Sequence, residues 1–150
     1  MAHSTYSFQD ISLSLSHPSV GTLELGGDFL YSEGKGVGSI TFAWADDVGS
    51  HERAADGQVM TSKIIAKNGT IVFVVNQVSD AHQWLTKAYN YLQAAPPDEW
   101  AKMELVMTAP YAKVEHEGRE ISFVKRADKA YGSDGATCSW TLQAKELIEK

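Results

Sequence analysis

Cysteine is almost absent from this chain. Cys138 stands alone among 150 residues, which excludes an internal disulfide framework and a cysteine-rich zinc site. Long apolar runs are also missing. No window approaches the roughly 18 consecutive apolar residues of a membrane-spanning helix. The opening Met1–Asp10 has no cationic stretch leading into an apolar core, so no signal peptide is expected. Positive charge is scarce: Lys and Arg number 13 against 19 Asp and Glu, for a net charge of −6. Static nucleic-acid binding needs clustered cations to displace counterions, and docking on an anionic membrane needs them too. The composition disfavours both and suits a single domain folded in a cytoplasm, able to bury about 70% of its unfolded surface.

What the chain does have is alternation. In Tyr6–Leu15, Ile11, Leu13 and Leu15 point one way and Ser12, Ser14 and Ser16 the other, the mark of a half-buried strand. Gly21–Leu25 repeats the pattern with Leu23 and Leu25 inward, and a glycine-rich connection holding Leu30 and Tyr31 covers Gly26–Gly38. Ser39–Trp44 places Ile40, Phe42 and Trp44 on one face and Ser39, Thr41 and Ala43 on the other. Ala45–Gly57 is expected to be a long polar loop, and loops of this kind are usually functional or ordered by a partner. Gln58–Lys67 is expected to be a strand, joined by an Asn68-Gly69 hairpin turn to an antiparallel partner, Thr70–Gln77. Thr70–Val75 is apolar on both faces, so both should be covered: one by the core, the other by the following helix or by another subunit.

That helix starts at Asp80 as cap, with Gln83 in capping-box spacing. Trp84, Leu85, Ala88, Tyr89 and Leu92, with Ala81, form its packing face. Strands are expected over Lys102–Thr108, Ala112–His116 and Glu120–Lys125, the last two joined by a turn at Glu117–Gly118. A polar loop covers Arg126–Gly135, and a final strand covers Ala136–Ala144. The tail Lys145–Lys150 would be a helical turn or fray. The fold class is mainly β, an antiparallel sandwich or barrel-like roll in one domain spanning residues 1–150, with one short amphipathic helix packed at its side.

Chemistry is hard to find. None of the five histidines sits at a metal-ligand spacing from another, and His82, on the polar side of the helix, reads as solvated. His116 in "VEHEGRE" has carboxylate neighbours but no apolar pocket to shift a pKa, so a charged hairpin tip is expected. "EGKGVGS" (Glu33–Ser39) has its lysine misplaced for a phosphate loop and is followed by a strand instead of a helix. No serine stands in a nucleophile elbow, and Cys138 shares an apolar strand face with Trp140. Neither enzyme activity nor a cofactor or metal is expected. The strands "SITFAW" and "ATCSWTLQA" contain none of the Lys, Pro or bulges that guard monomer edges, and that points to assembly.

The opening "TYSFQDISLSLSHPSVGTLELGG", the middle "ADGQVMTSKIIAKNGTIVFVVNQVSDAHQWL" and the ending "GSDGATCSWTLQAKEL", in this order, resemble the tail tube proteins of contractile-tailed bacteriophages. The resemblance implies a structural virion protein, assembled in the host cytoplasm, whose hexameric rings stack into a hollow tail tube. It implies as partners other copies of the chain, the tail sheath, the tape-measure protein, the baseplate hub and the tail terminator. DNA would pass without sequence-specific binding, and nothing would anchor in a membrane. On this reading Ser39, Thr41, Thr137, Ser139, Thr141 and Gln143 are candidates for the lumen face, the other reading being an ordinary solvated sheet face. The segment holding Asp46, Asp47, His51, Glu52 and Arg53 is the candidate contact to a neighbouring ring. Three alternatives stand beside it: the inner tube of a type VI secretion system or phage-tail-like bacteriocin, a carbohydrate-binding module using Trp44, Trp100 or Trp140, and a small hydrolase.

Overall fold

A computed structural model of the protein describes residues 11–26, 37–109, 114–129 and 131–150. Most of the glycine-rich connection, with Leu30 and Tyr31, lies outside the described residues, as does the opening through Asp10. The described chain runs β1 (Ser12–His17), β2 (Gly21–Gly26), β3 (Val37–Trp44), β4 (Gly49–Arg53), β5 (Val59–Lys63), β6 (Gly69–Asn76), α1 (Asp80–Ala94), a 3-10 turn at Pro97–Glu99, β7 (Met103–Ala109), β8 (Val114–Lys125) and β9 (Thr137–Glu149). Seven strands form one sheet in the order β2-β1-β7-β8-β9-β6-β3, and β4 and β5 form a separate pair. Every pairing is antiparallel. The expected mainly β fold with one helix is therefore observed, and the sheet does not close into a barrel among the described residues.

The alternation read from the sequence sets the core. Ile11, Leu13 and Leu15 are buried, and so are Ile71, Phe73 and Val75 on β6, Met103 and Leu105 on β7, Ile121 and Phe123 on β8, and Trp140 and Leu142 on β9. Phe42 and His116 show how one sheet encloses this face. They lie three strands apart in the sheet order, about 14 Å if the sheet were flat. Their rings nonetheless stack at 4.5 Å, so the sheet curls until β3 faces β8.

Helix α1 covers the same inner face. Ala81, His82, Leu85, Ala88 and Leu92 are buried, Trp84 and Tyr89 are half-buried against the core, and Tyr89 meets Phe123 edge-on at 5.4 Å. The cap is Ser79, one residue before the expected Asp80; its hydroxyl accepts from the His82 amide at 3.2 Å. His82 is not solvated. It is 6% exposed, and its Nδ1 accepts the Trp140 indole N–H at 3.0 Å.

Several expectations fail locally. Gln58–Lys67 does not pair with Thr70–Gln77: β5 pairs with β4, and β6 lies between β3 and β9. Neither Asn68 nor Gly69 has positive φ. Gly69 is a strand residue, and a Cβ on it would lie 2.5 Å from the Ala43 carbonyl oxygen and 2.7 Å from Leu147 Cδ2, so glycine here serves close approach instead of a turn. Ala45–Gly57 is not a plain loop, since it contains β4. The turn expected at Glu117–Gly118 is absent because β8 is one strand of 12 residues. The tail neither frays nor coils, since β9 continues to Glu149 beside β8. Its core positions step from Ala144 to Leu147, and those of β8 from Gly118 to Ile121. Both strands thus slip their alternation together at the level where Glu120 has a φ of 52°, and β8 carries a second irregularity between Phe123 and Lys125 that β9 does not share.

Both faces of β6 can now be placed. Ile71, Phe73 and Val75 meet the core and helix, while Thr70, Val72 and Val74 are half-buried on the opposite face. The helix therefore does not cover that second face.

Two outcomes test this packing. Gly69→Ala is expected to destabilise the fold by about 1–3 kcal/mol through overpacking, read from urea unfolding; a tight turn with positive φ is not what it would disturb. Burial first, then the nearby Lys129 ammonium, lowers the His82 pKa from 6.5. The unfolded chain then binds a proton where the folded chain does not, so this stability is full above about pH 6.5 and falls as pH drops toward the folded pKa. The urea midpoint should decrease between about pH 7.5 and about pH 5.5, and the decrease should be smaller in His82→Gln.

Candidate functional site

The feature least explained by folding is the β4–β5 hairpin. Val48 to Ile64 forms an arm in which every residue except Ser62 is exposed. Its tip is closed by the Ala54 amide donating to the Gln58 carbonyl at 2.7 Å and the Gly57 amide donating to the Ala54 carbonyl at 3.0 Å, with Gly57 at a φ of 91°. The Asp56 carboxylate accepts the Gln58 amide at 3.1 Å. At its root the Ile64 amide bonds the Val48 carbonyl at 2.8 Å. Side chains in β-strand pairs share a face with their partners, so the register gives the arm two faces. Ser50, Glu52, Met60 and Ser62 lie on one; His51, Arg53, Val59, Thr61 and Lys63 lie on the other.

The arm is apolar where it should be wet. Val48, Val59, Met60 and Ile64 are each about half exposed or more, and Ile65 at its root is 85% exposed. A concentration of this kind marks an interaction surface. Beside the root a groove of about 480 Å³ is lined by Trp44, Val48, Ala66, Leu147 and Ile148, with Asp46, Lys67 and Glu149 at its rim. The Trp44 indole N–H donates to the Leu147 carbonyl at 2.8 Å and holds that wall in place. Of the residues expected in a contact loop, His51, Glu52 and Arg53 sit on β4, while Asp46 and Asp47 precede it at the root.

The sheet edges are the second feature. β3 and β2 end the strand order, and among the described residues nothing pairs with their outer sides. β3 carries no lysine or proline. "ATCSWTLQA", expected to be a second unguarded edge, is instead interior: it belongs to β9, which is paired to β8 and β6.

The third feature is a polar face. Thr41 pairs with Val72 and Val72 with Thr141; Ser39 pairs with Val74 and Val74 with Ser139; Gln143 pairs with Thr70, and Thr137 with Asn76. The sheet therefore brings Ser39, Thr41, Thr137, Ser139, Thr141 and Gln143 onto one surface, opposite the helix. It is neutral at its centre and charged at its borders, where Lys125 pairs with Thr141 and lies 3.7 Å from Asp128, and where Lys145, beyond Gln143 on β9, lies 3.7 Å from Glu120.

The charged cluster about His116 is a set of ion pairs. Glu117 bonds Arg119 at 2.7 Å and Lys150 at 3.0 Å. The Lys150 bond first, then the Arg119 bond, holds its carboxyl below the usual carboxylate range. Trp140 is fully buried, which removes it from a surface sugar platform, and the exposed Val59 and Met60, on opposite faces of the arm, lie within charged sequence. The arm's strand signal was "VMTSK" opposite "GSHER", two short runs about a Gly turn. Replacing Val59, Met60 and Ile65 with serine should leave stability within about 0.5 kcal/mol of the parent, as for surface positions generally. It should reduce self-association in sedimentation velocity.

No curated protein sequence matches the chain. Solved structures do. A chain of the sheath-tube complex of an extracellular contractile injection system in the extended state has a TM-score of 0.58 at 10% identity, covering 97% of this chain and 91% of that one. A chain from the sheath/tube terminator of such a system has a TM-score of 0.61 at 9% identity, over 100% of this chain and 99% of that one. The anti-feeding prophage tube-terminating cap gives 0.58 at 11% identity, over 100% and 93%. These likenesses show a shared fold. Residues 3–150 match the bacteriophage PhiTE tail tube protein family, and the chain belongs to that family.

Proposed function

We propose that six copies of this protein close into a ring and that rings stack into the inner tube of a contractile tail. The observation that carries this reading is the pair of unpaired edges. β3 of one copy hydrogen-bonds to β2 of the next, which joins the sheets around the ring and leaves no edge exposed. Such a contact is heterologous and closes by rotation, while the arm supplies the second, non-closing contact that stacks rings into a filament.

Tail tube proteins are structural parts of the virion tail, and on this reading the protein has no catalytic role. It assembles in the host cytoplasm. The neutral face of Ser39, Thr41, Thr137, Ser139, Thr141 and Gln143 lines the lumen, where hydroxyl and amide groups let DNA slide without the counterion release that binds phosphates. The tape-measure protein fills the lumen beforehand. Asp46, Asp47, His51, Glu52 and Arg53 belong to the arm that reaches the neighbouring ring. The sheath, the tail terminator and the baseplate hub are the outer and end partners; the similar chains come from a sheath-tube complex, a terminator and a baseplate, which supports this choice. A second reading, the inner tube of a related injection system, is favoured by the origin of those same structures. It differs in cargo, and DNA or protein recovered inside native tubes decides between them.

Negative-stain microscopy of the concentrated protein should show rings or hollow tubes of uniform diameter. In Thr141→Cys, a bulky poly(ethylene glycol) maleimide should label free subunits and fail to label tubes, with buried Cys138 silent in both. Full labelling of intact tubes would place Thr141 on the outside.

A further inference from the structure

The geometry points to a specific receptor for the arm: the outer face of β2, β1, β7 and β8 on a second copy of this chain, reached through charge pairing around a small apolar contact. This inference rests on the tube reading above and names the surface that the arm meets.

One face of the arm carries the cations Arg53 and Lys63, with His51, about Val59 and Thr61. No carboxylate shares that face, and among the described residues neither Arg53 nor Lys63 forms an ion pair. Unpaired cations in a chain of net charge −6, set beside a valine that is 54% exposed, have the form of half an interface.

The other half lies on the sheet. Val106, 41% exposed on β7, is paired to Ser14 on one side and Glu117 on the other. Around it stand Glu24, opposite Ser14 on β2; Glu104, one step along β7; and Glu115, opposite Thr108 on β8. Glu117 is already committed to Arg119 and Lys150. Glu24, Glu104 and Glu115 form no ion pair among the described residues, and Glu104 feels Arg119 only as a longer-range charge. Three free carboxylates thus surround an exposed valine on the sheet, and two free cations and a histidine lie about one on the arm. The dimensions agree as well. With Val59 over Val106, Arg53, its cross-strand partner, lies about 5 Å away beside β7 and β8, and Lys63 lies about 14 Å along the arm against about 10 Å from β7 to β2, a difference that the long Lys63 and Glu24 side chains span. The arm lying across these strands puts Val59 on Val106 and its cations among the carboxylates.

Within one copy the two surfaces are separate, so the contact is between copies. It leaves the neutral Ser39–Thr141 face free, which the lumen requires. Electrostatic pairing of this kind sets register and suppresses wrong partners more than it adds raw affinity.

A charge swap tests it. Arg53→Glu with Lys63→Glu on the arm, and Glu24→Lys with Glu104→Lys and Glu115→Lys on the face, should each raise the critical concentration for tube formation about tenfold or more. Mixing the two variants in one tube, or combining all five changes in one chain, should restore assembly. Circular dichroism confirms that the variants fold. Salt that shortens the Debye length to about 3 Å should also raise the critical concentration of the wild type. Independently, Val59→Cys with Val106→Cys should give disulfide-linked ladders under copper-phenanthroline oxidation, whereas Val59→Cys with Val124→Cys should not. Wild-type tubes whose assembly is unmoved by both charge variants, or tubes without the Val59–Val106 ladder, overturn this receptor and leave the tube standing. A wild type that never associates overturns the tube and the receptor together.

Discussion

One apolar sheet face has to be kept from water, and among the described residues the only other sheet is the exposed β4–β5 pair. The solution is curvature. Phe42 reaching His116 across three strands, and Tyr89 of the helix closing over Phe123 and Trp140, turn a single sheet into its own cover. Fully burying side chains of this size is worth about 1.5–3 kcal/mol each, so the curl is held by many such contacts instead of a few strong bonds. The buried polar groups are accommodated within it. His17 Nε2 meets the Glu99 carbonyl while its Nδ1 accepts the Ser19 amide, and His82 takes the Trp140 indole proton.

Curvature also sorts the remaining surfaces. With one face spent on the core, the polar positions of the strand alternation are turned outward. The outward face divides into a neutral part on β3, β6 and β9 and an acidic part on β2, β7 and β8. Because the curl stops short of closure, β2 and β3 are left as open edges among the described residues. Because the arm contributes nothing to the core, its apolar side chains are available to another molecule. Hydroxyl-lined surface, open edges and an apolar arm are separate outcomes of the same packing decision.

The sequence was most informative where period and burial coincide. Leu13 and Leu15, Phe73 and Val75, Trp140 and Leu142, and the helix stripe of Leu85, Ala88 and Leu92 were all legible, because a repeat of two or 3.6 residues states which side is dry. The gathering of Ser39, Thr41 and Thr137 through Gln143 on one surface followed from the same alternation. What misled was local chemistry with a tertiary cause. Asn68-Gly69 looks like a turn, but Gly69 is small because Ala43 and Leu147 crowd it. Glu117–Gly118 looks like another turn, but Gly118 sits beneath Ile71 and Ile121. His82 looks exposed by helical position, yet Trp140 supplies the partner that lets it be buried. The arm was hidden because exposed strands have no dry side, so no period announces them. Chains sharing about a tenth of their residues keep this fold, which is what is expected when the pattern of burial, more than residue identity, carries the architecture.

The paired slips in β8 and β9 bear on how such a sequence can change. Gly118 stays opposite Leu147, and Ile121 opposite Ala144, only because both strands break step at the same level. Gain or loss of one residue in either strand alone would turn half of that strand inside out, exposing Leu147 or burying charge. The two breaks are therefore heritable only as a unit. At this level the two strands can change length only together, whereas beyond Phe123 β8 already accommodates one residue that β9 lacks.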